Sequence, residues 1–182
     1  SIEFYFIGIV NVTEFRYGND KSLPKLESVV GDPLSPYATT KKINEIYADV
    51  YAKNYGLEYI GLRYFNVFGE RQDPNGPYAA VIPRWINALI KKEEIYINGD
   101  GKTSRDFCYV KNVVQANLKA SFSQNPKAIN GIYNVAFGDK TSLNKLFKII
   151  NEEDPTVAFL CSVISSESST IFLKVNIALL IK

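Results

Sequence analysis

The chain opens on a short apolar run, Phe4–Val10, of the kind that suits a strand buried on both faces of a parallel sheet. A polar stretch follows, and Gly18-Asn19-Asp20 marks a turn. After Ser35-Pro36 the period lengthens. Ile43, Tyr47 and Val50 fall at i, i+4 and i+7, which predicts a helix with these three on one apolar face and a stop at Gly56. Tyr59–Phe65 reads as a second buried strand. The stretch Gly69–Pro77, with its glycines and prolines, reads as a loop. A helix from about Arg84 to Lys91 leads into a strand over Ile95–Asn98, and Gly99-Asp100-Gly101 turns the chain. Phe107–Val110 is short and extended, Val113–Phe122 helical, and Tyr133–Phe137 a strand. Thr141-Ser142 then caps a helix carrying Leu143, Leu146, Phe147 and Ile150. Strands alternating with helices predict an α/β architecture with a parallel sheet. Past about Asn151 the pattern weakens, and the polar run Ser165–Thr170 leaves the tail unassigned.

Composition narrows the chemistry more than the fold. The 182 residues, 46% hydrophobic, suffice for one ordinary globular domain with a sizeable core. The net charge of +2 arises from mixed-sign residues such as Lys91-Lys92-Glu93-Glu94. No basic stripe stands out, so no nucleic-acid partner is expected. There is no histidine, which removes Ser-His-Asp triads, Cys-His dyads and histidine-ligated metals. No metal is expected, and proton transfer falls to Tyr, Lys, Asp, Glu or Cys. Methionine is absent too and the first residue is Ser1, which reads as a fragment of a longer product. Cys108 and Cys161 lie far apart in apolar surroundings, as expected of two buried thiols in a reducing compartment. The opening residues lack a basic leader. The apolar tail Ile171–Ile181 is broken by Lys174 and Asn176 and falls well short of the roughly 20 residues a membrane span needs. A cytoplasmic protein without a membrane partner is expected.

The sharpest local signal is Tyr37-Ala38-Thr39-Thr40-Lys41 at the start of the first predicted helix. A spacing of four puts both side chains on one face. A phenol with a pKa of about 10 is too weak a base at neutral pH. A neighbouring ammonium favours the phenolate and can also hydrogen-bond a ribose hydroxyl. The spacing alone is weak evidence: Tyr17 and Lys21 share it in a turn-rich stretch, and such pairs are commonly a half-buried ring beside a solvated charge.

The surrounding strings give it weight. Thr13, Tyr17-Gly18, Ser35-Pro36-Tyr37 through Lys41, Leu62-Arg63-Tyr64-Phe65-Asn66-Val67-Phe68-Gly69 and Thr103-Ser104-Arg105-Asp106-Phe107 follow in order. Between them stand Gln72-Asp73-Pro74-Asn75-Gly76 and Tyr96-Ile97-Asn98-Gly99-Asp100-Gly101. From about Thr13 to Ile150 this series resembles the extended short-chain dehydrogenase/reductase family, in particular its NAD-dependent nucleotide-sugar epimerases and dehydratases. Within these it is most similar to the UDP-N-acetylglucosamine 4-epimerases of bacterial surface-polysaccharide synthesis.

The resemblance implies the carboxyl-terminal part of a Rossmann-like doubly wound parallel sheet with a small α/β substrate-binding subdomain. Residues 1–69 would be what remains of the NAD-binding domain, residues 70–150 mainly the nucleotide-sugar region, and 151–182 a tail without assignment. By the same resemblance Tyr37 is the catalytic base, Lys41 its partner on the nicotinamide ribose, and Thr13 a hydrogen-bond donor to the reacting oxygen. Phe65 and Val67 match positions beside the nicotinamide. Asn66 and Arg105 match the groups that hold the substrate diphosphate, and Ala80, Val81, Trp85, Tyr96 and Asn98 the uridine pocket. Simpler roles stand beside these: Trp85 as a core anchor, Arg105 as half of a surface ion pair with Asp106, Asn66 as a strand terminator. The implied cofactor is NAD, the implied substrate a UDP-sugar, and the full-length form a homodimer.

The sequence also departs from the family. It holds no glycine-rich loop between a strand and a helix to cradle the NAD pyrophosphate. Around Thr13 stand Asn11, Val12, Glu14, Phe15 and Arg16 in place of small residues, and no second substrate Arg and Asp follow Ile150. The expected reaction is 4-epimerisation of UDP-N-acetylglucosamine and UDP-N-acetylgalactosamine, or of the corresponding uronic acids, through a transient 4-keto sugar. The alternatives are a nucleotide-sugar 4,6-dehydratase, against which Thr13-Glu14-Phe15 lacks the second acid, and a non-catalytic remnant.

Overall fold

The computed structural model describes residues 6–11, 25–29, 31–76 and 80–152, the first of these as backbone. In chain order the elements are β1 (Phe6–Asn11), α1 (Pro36–Tyr55), β2 (Tyr59–Tyr64), β3 (Val67–Phe68), α2 (Val81–Lys91), β4 (Ser104–Arg105), β5 (Cys108–Tyr109), α3 (Val110–Ser121), β6 (Gly131–Val135), β7 (Thr141–Ser142) and α4 (Leu143–Glu152). The main sheet runs β1-β2-β6 with every neighbour parallel. Phe6 pairs with Tyr59 at one end of the register and Asn11 with Tyr64 at the other. Such a sheet must be covered on both faces, and β2 is buried along its whole length as its apolar run predicts. Ile60, Leu62 and Val135 are fully buried in a cluster completed by Tyr64, Cys108, Val113, Ala116, Ala120, Ala128 and Tyr133. A second cluster joins Ile82 and Trp85 of α2 to Leu146 and Ile150 of α4. Trp85 meets Phe147 edge-on there, centroids 5.9 Å apart.

α1 begins and ends where the sequence predicts. Ser35 takes an extended conformation and its Oγ accepts the Ala38 N–H at 3.1 Å, while Pro36 fills a first-turn position that needs no donor. Gly56 closes the helix at φ 69, its N–H reaching the Ala52 carbonyl at 3.2 Å. Ser35→Ala is expected to cost about 1 kcal/mol in denaturant unfolding with an unchanged m value.

The buried face of α1 differs from the expected one. Ile43, Tyr47 and Val50 are 42%, 61% and 43% exposed, whereas Ala38, Glu45 and Ala48 are buried. Alanines let the helix approach the sheet closely. Glu45 is tolerated because Arg63 of β2 meets it in a bidentate pair, Nε to Oε1 at 2.9 Å and Nη2 to Oε2 at 3.0 Å. Arg63 Nη1 also donates to the Glu27 carbonyl at 3.1 Å. The Glu27 carboxylate in turn accepts the Asn134 N–H at 3.0 Å, and Asn134 Nδ2 donates to the Lys25 carbonyl at 2.9 Å. One buried polar network therefore ties α1, β2, β6 and segment 25–29 together.

Three other expectations change. Ile95–Asn98 is not a strand: among the described residues it has no ladder partner, although Ile95 and Ile97 are half-buried against the second cluster while Tyr96 and Asn98 are exposed. The alternation was real, but packing rather than pairing satisfies it. α2 starts at Val81 rather than near Arg84, with Pro83 inside its first turn where a missing donor costs nothing. α3 starts at Val110 rather than Val113, leaving only Cys108–Tyr109 extended before it. Ser142 both ends β7 and caps α4, its Oγ accepting the Lys145 N–H at 3.2 Å. Among the described residues no helix is long and apolar enough to cross a membrane. The tail from residue 153 onward lies outside the described residues.

Candidate functional site

In a parallel sheet the carboxyl ends of the strands share one edge, and crossover helices start from it. α1 is the crossover between β1 and β2, so its first turn brings Tyr37 to that edge. Tyr37 and Lys41 are both half-buried, and Lys41 Nζ lies 5.1 Å from the Tyr37 ring centroid. The spacing of four has thus produced a contact between cation and phenol.

β2 ends at Tyr64, and the next three residues line the same edge. The Phe65 N–H bonds the Val135 carbonyl at 3.0 Å, which keeps Phe65 beside the end of β6. Val67 pairs in parallel with Cys108 and Phe68 with Tyr109, forming a second small sheet. Asn66 between them adopts φ 30, a left-handed setting that asparagine tolerates better than most residues. Its Nδ2 donates to the Asp106 carbonyl at 2.9 Å, and its own carbonyl accepts the Cys108 N–H at 3.3 Å. Gly69 follows where a Cβ would collide with the Val110 side chain, so the close approach of loop and α3 requires glycine.

Arg105, half-buried on β4, pairs with Thr141 of β7 in the antiparallel two-stranded sheet. Asp106 is no surface ion-pair partner. Its carboxylate accepts the Phe137 N–H at 2.9 Å and the Gly138 N–H at 2.7 Å. Burial pushes this carboxyl above the usual range, against the pull of the Gly138, Phe137 and Asp139 backbone amides, while the charge of Asp139 adds to the rise. Cys108 is fully buried, and its thiol is pushed up to about 12, chiefly by burial and secondarily by the charge of Asp106. A thiol so seldom ionised is no nucleophile at neutral pH.

The residues matched to a uridine pocket are spread along two segments. Ala80 is the N-cap of α2 and Val81 its first residue. Val81 packs against the second apolar cluster, and Trp85 lies within it, 7% exposed, so Trp85 is a core anchor. Tyr96 is 76% exposed, its hydroxyl donating to Glu94 Oε2 at 2.5 Å, which raises the phenol's pKa. Asn98 is exposed. Thr13 and the rival pair Tyr17 and Lys21 lie outside the described residues. The structure therefore brings together Tyr37 with Lys41, Phe65, Asn66 and Val67 with the segment of Arg105, and Val81 with Trp85. Two features escaped the sequence reading, the Glu45–Arg63 pair and the Asp106 clamp. A lone arginine inside an otherwise apolar strand was the available signal for the first.

Residues 9–136 match the NAD dependent epimerase/dehydratase family. The chain is 34% identical over 134 residues to the UDP-glucose 4-epimerase of Mycolicibacterium smegmatis, covering 74% of this chain and 42% of that protein. Among solved structures it resembles a UDP-N-acetylglucosamine 4-epimerase from Methanobrevibacter ruminantium M1 in complex with UDP-N-acetylmuramic acid. That likeness has a TM-score of 0.73 at 45% identity, covering 80% of this chain and 47% of the other. It also resembles the UDP-glucuronic acid 4-epimerase of Bacillus cereus, in complex with UDP-glucuronic acid and NAD, with a TM-score of 0.72 at 29% identity over 81% of this chain and 45% of that one. The chain spans less than half the length of these relatives. With its parallel sheet, its Tyr37–Lys41 helix and a match over most of its length, the chain belongs to the NAD-dependent epimerase/dehydratase family.

Proposed function

We propose that this chain supplies the base and the nucleotide-sugar side of an NAD-dependent UDP-sugar 4-epimerase, acting on UDP-N-acetylglucosamine and UDP-N-acetylgalactosamine or on the corresponding uronic acids. The observation that carries the reading is the half-buried Tyr37 with the Lys41 ammonium 5.1 Å from its ring, at the carboxyl edge of the sheet. The residues at that edge fit the nicotinamide end of NAD: Lys41 offers a donor for a ribose hydroxyl, and Phe65 and Val67 offer half-buried apolar surface. When bound, NAD supplies reversible oxidation at the sugar's C4.

The rest is the work of the chain's own side chains. The Tyr37 phenolate accepts the proton of the 4-hydroxyl and returns one after the sugar has turned over. The Lys41 ammonium favours that phenolate. Thr13 holds the reacting oxygen. Asn66 and Arg105 grip the diphosphate, and Ala80, Val81, Trp85, Tyr96 and Asn98 receive the uridine, Trp85 from behind as a packing anchor. Binding energy spent on the nucleotide thus fixes one end of the substrate while the sugar is free to rotate. In this reading residues 1–69 serve the cofactor and residues 70–150 mainly the substrate. Ile43, Ile46, Tyr47, Val50 and Tyr51, all exposed on α1, support a homodimer.

Proton NMR of the anomeric signals tests the reaction on the protein that carries this chain. Interconversion of the two epimers without net reduction of NAD is the expected result. Release of a 4-keto-6-deoxy sugar would replace epimerisation by dehydration, and a purified protein that neither turns over nor releases nicotinamide on denaturation would be a non-catalytic remnant. Arg105→Ala should weaken UDP binding by roughly 1.5–3 kcal/mol, the worth of a charge-assisted contact, in a calorimetric titration.

A further inference from the structure

Among the described residues Asp106 is joined by three hydrogen bonds to two separate segments, and its hydrogen-bond partners there are amide groups rather than charged side chains. Its carbonyl receives Asn66 Nδ2 at 2.9 Å, and its carboxylate receives the N–H groups of Phe137 at 2.9 Å and Gly138 at 2.7 Å. Asn66 follows β2, and Phe137 and Gly138 follow β6, so the clamp holds the 104–109 segment against the ends of two neighbouring strands of the main sheet. Arg105 is the residue immediately before it. On its other side Arg105 is fixed by the pairing of β4 with β7, Ser104 opposite Ser142 and Arg105 opposite Thr141. Its backbone is therefore held between a strand pair and a three-point clamp.

We infer that Asp106 is a positioning residue for the substrate diphosphate: it sets the backbone from which Arg105 acts, and joins Arg105 and Asn66 into one rigid phosphate-binding unit. This rests on the assignment of Arg105 and Asn66 to the diphosphate in the proposed function. The carboxylate suits the task because it is acceptor-only when ionised and can take both amides at once. An asparagine of the same shape would turn an NH2 toward one of those N–H groups and lose that bond. A guanidinium binding phosphate through paired donors is sensitive to small displacements.

The test needs only nucleotide binding, so neither NAD nor turnover enters it. UDP and uridine are titrated against the wild type, Asp106→Asn, Arg105→Ala and the double variant, with thermal unfolding of each as a check on folding. The expected result is UDP affinity lowered about tenfold or more in Asp106→Asn, uridine affinity changed less than about twofold, and no further loss when Asp106→Asn is added to Arg105→Ala. A purely structural role would lower UDP and uridine together, or add in full to the arginine variant, and either result overturns the inference. Should Asp106→Asn fail to fold, Asp106→Ser, which keeps one oxygen acceptor, takes its place in the same cycle. Wild-type protein that binds no UDP overturns the substrate assignment and this inference with it. Wild-type binding with an unchanged preference for UDP over uridine in Asp106→Asn overturns this inference alone.

Discussion

Tyr37→Phe is expected to lower turnover by roughly 10²–10⁴-fold, the range typical of lost acid–base catalysis, while UDP affinity stays near that of the wild type. The substitution keeps the ring that Lys41 faces at 5.1 Å and removes only the phenolic oxygen proposed to take the proton. Little in the chain could replace it. There is no histidine, Cys108 is buried with its thiol pushed up to about 12, and the Asp106 carboxylate is taken up by two backbone amides. UDP binding should persist because Asn66 and Arg105 are untouched. Steady-state kinetics alongside calorimetry of UDP binding separate the two quantities. If Tyr37→Phe turned over normally while Tyr17→Phe was dead, the base would be the other tyrosine and the mechanism proposed above would fall.

Arg63→Leu is expected to be the most damaging single change to stability, about 3–5 kcal/mol, because it leaves Glu45 buried without its partner. Arg63 is 2% exposed and Glu45 9%, so water can compensate neither. The substitution also removes the donor to the Glu27 carbonyl and so loosens segment 25–29. Replacing both members, Glu45→Leu with Arg63→Leu, should recover part of the loss, since no uncompensated charge remains. Urea unfolding of the three variants measures this. An Arg63→Leu cost below about 1 kcal/mol, or a double variant worse than the sum of the singles, would mean that the pair is not the joint between α1 and β2.

The same pair shows where sequence reading stopped. Tyr59–Phe65 was legible as a buried strand because apolar residues flank Arg63 on both sides, and burial of β2 is complete. The face of α1 was misread because Ile43, Tyr47 and Val50 carry the strongest periodic signal while the sheet is met by Ala38, Glu45 and Ala48. Hydropathy cannot reveal that a glutamate is inside when its partner lies eighteen residues away on another element. Tyr37 and Lys41 were legible because both sit on one helix and their contact follows from its pitch alone. The role of Asp106 was not, since its partners are backbone amides of Phe137 and Gly138, which leave no trace in side-chain identity. β3, β4 and β7 span two residues each, too short for any period to register, whereas β5, equally short, falls within the extended stretch Phe107–Val110.

The parallel order β1-β2-β6 also constrains the sequence of events in folding. β1 and β2 are linked through α1, but β6 reaches β2 only across a separation of 71 residues, as between Tyr59 and Asn130. Closing that longer loop costs more chain entropy, and contacts so distant are made late and slowly. Phe137 and Gly138 follow β6, so the amides that clasp Asp106 cannot arrive before that strand docks. The helix bearing Tyr37 and Lys41 is thus expected to be in place while the proposed phosphate-binding end is still open, so that the proposed nucleotide grip is completed last.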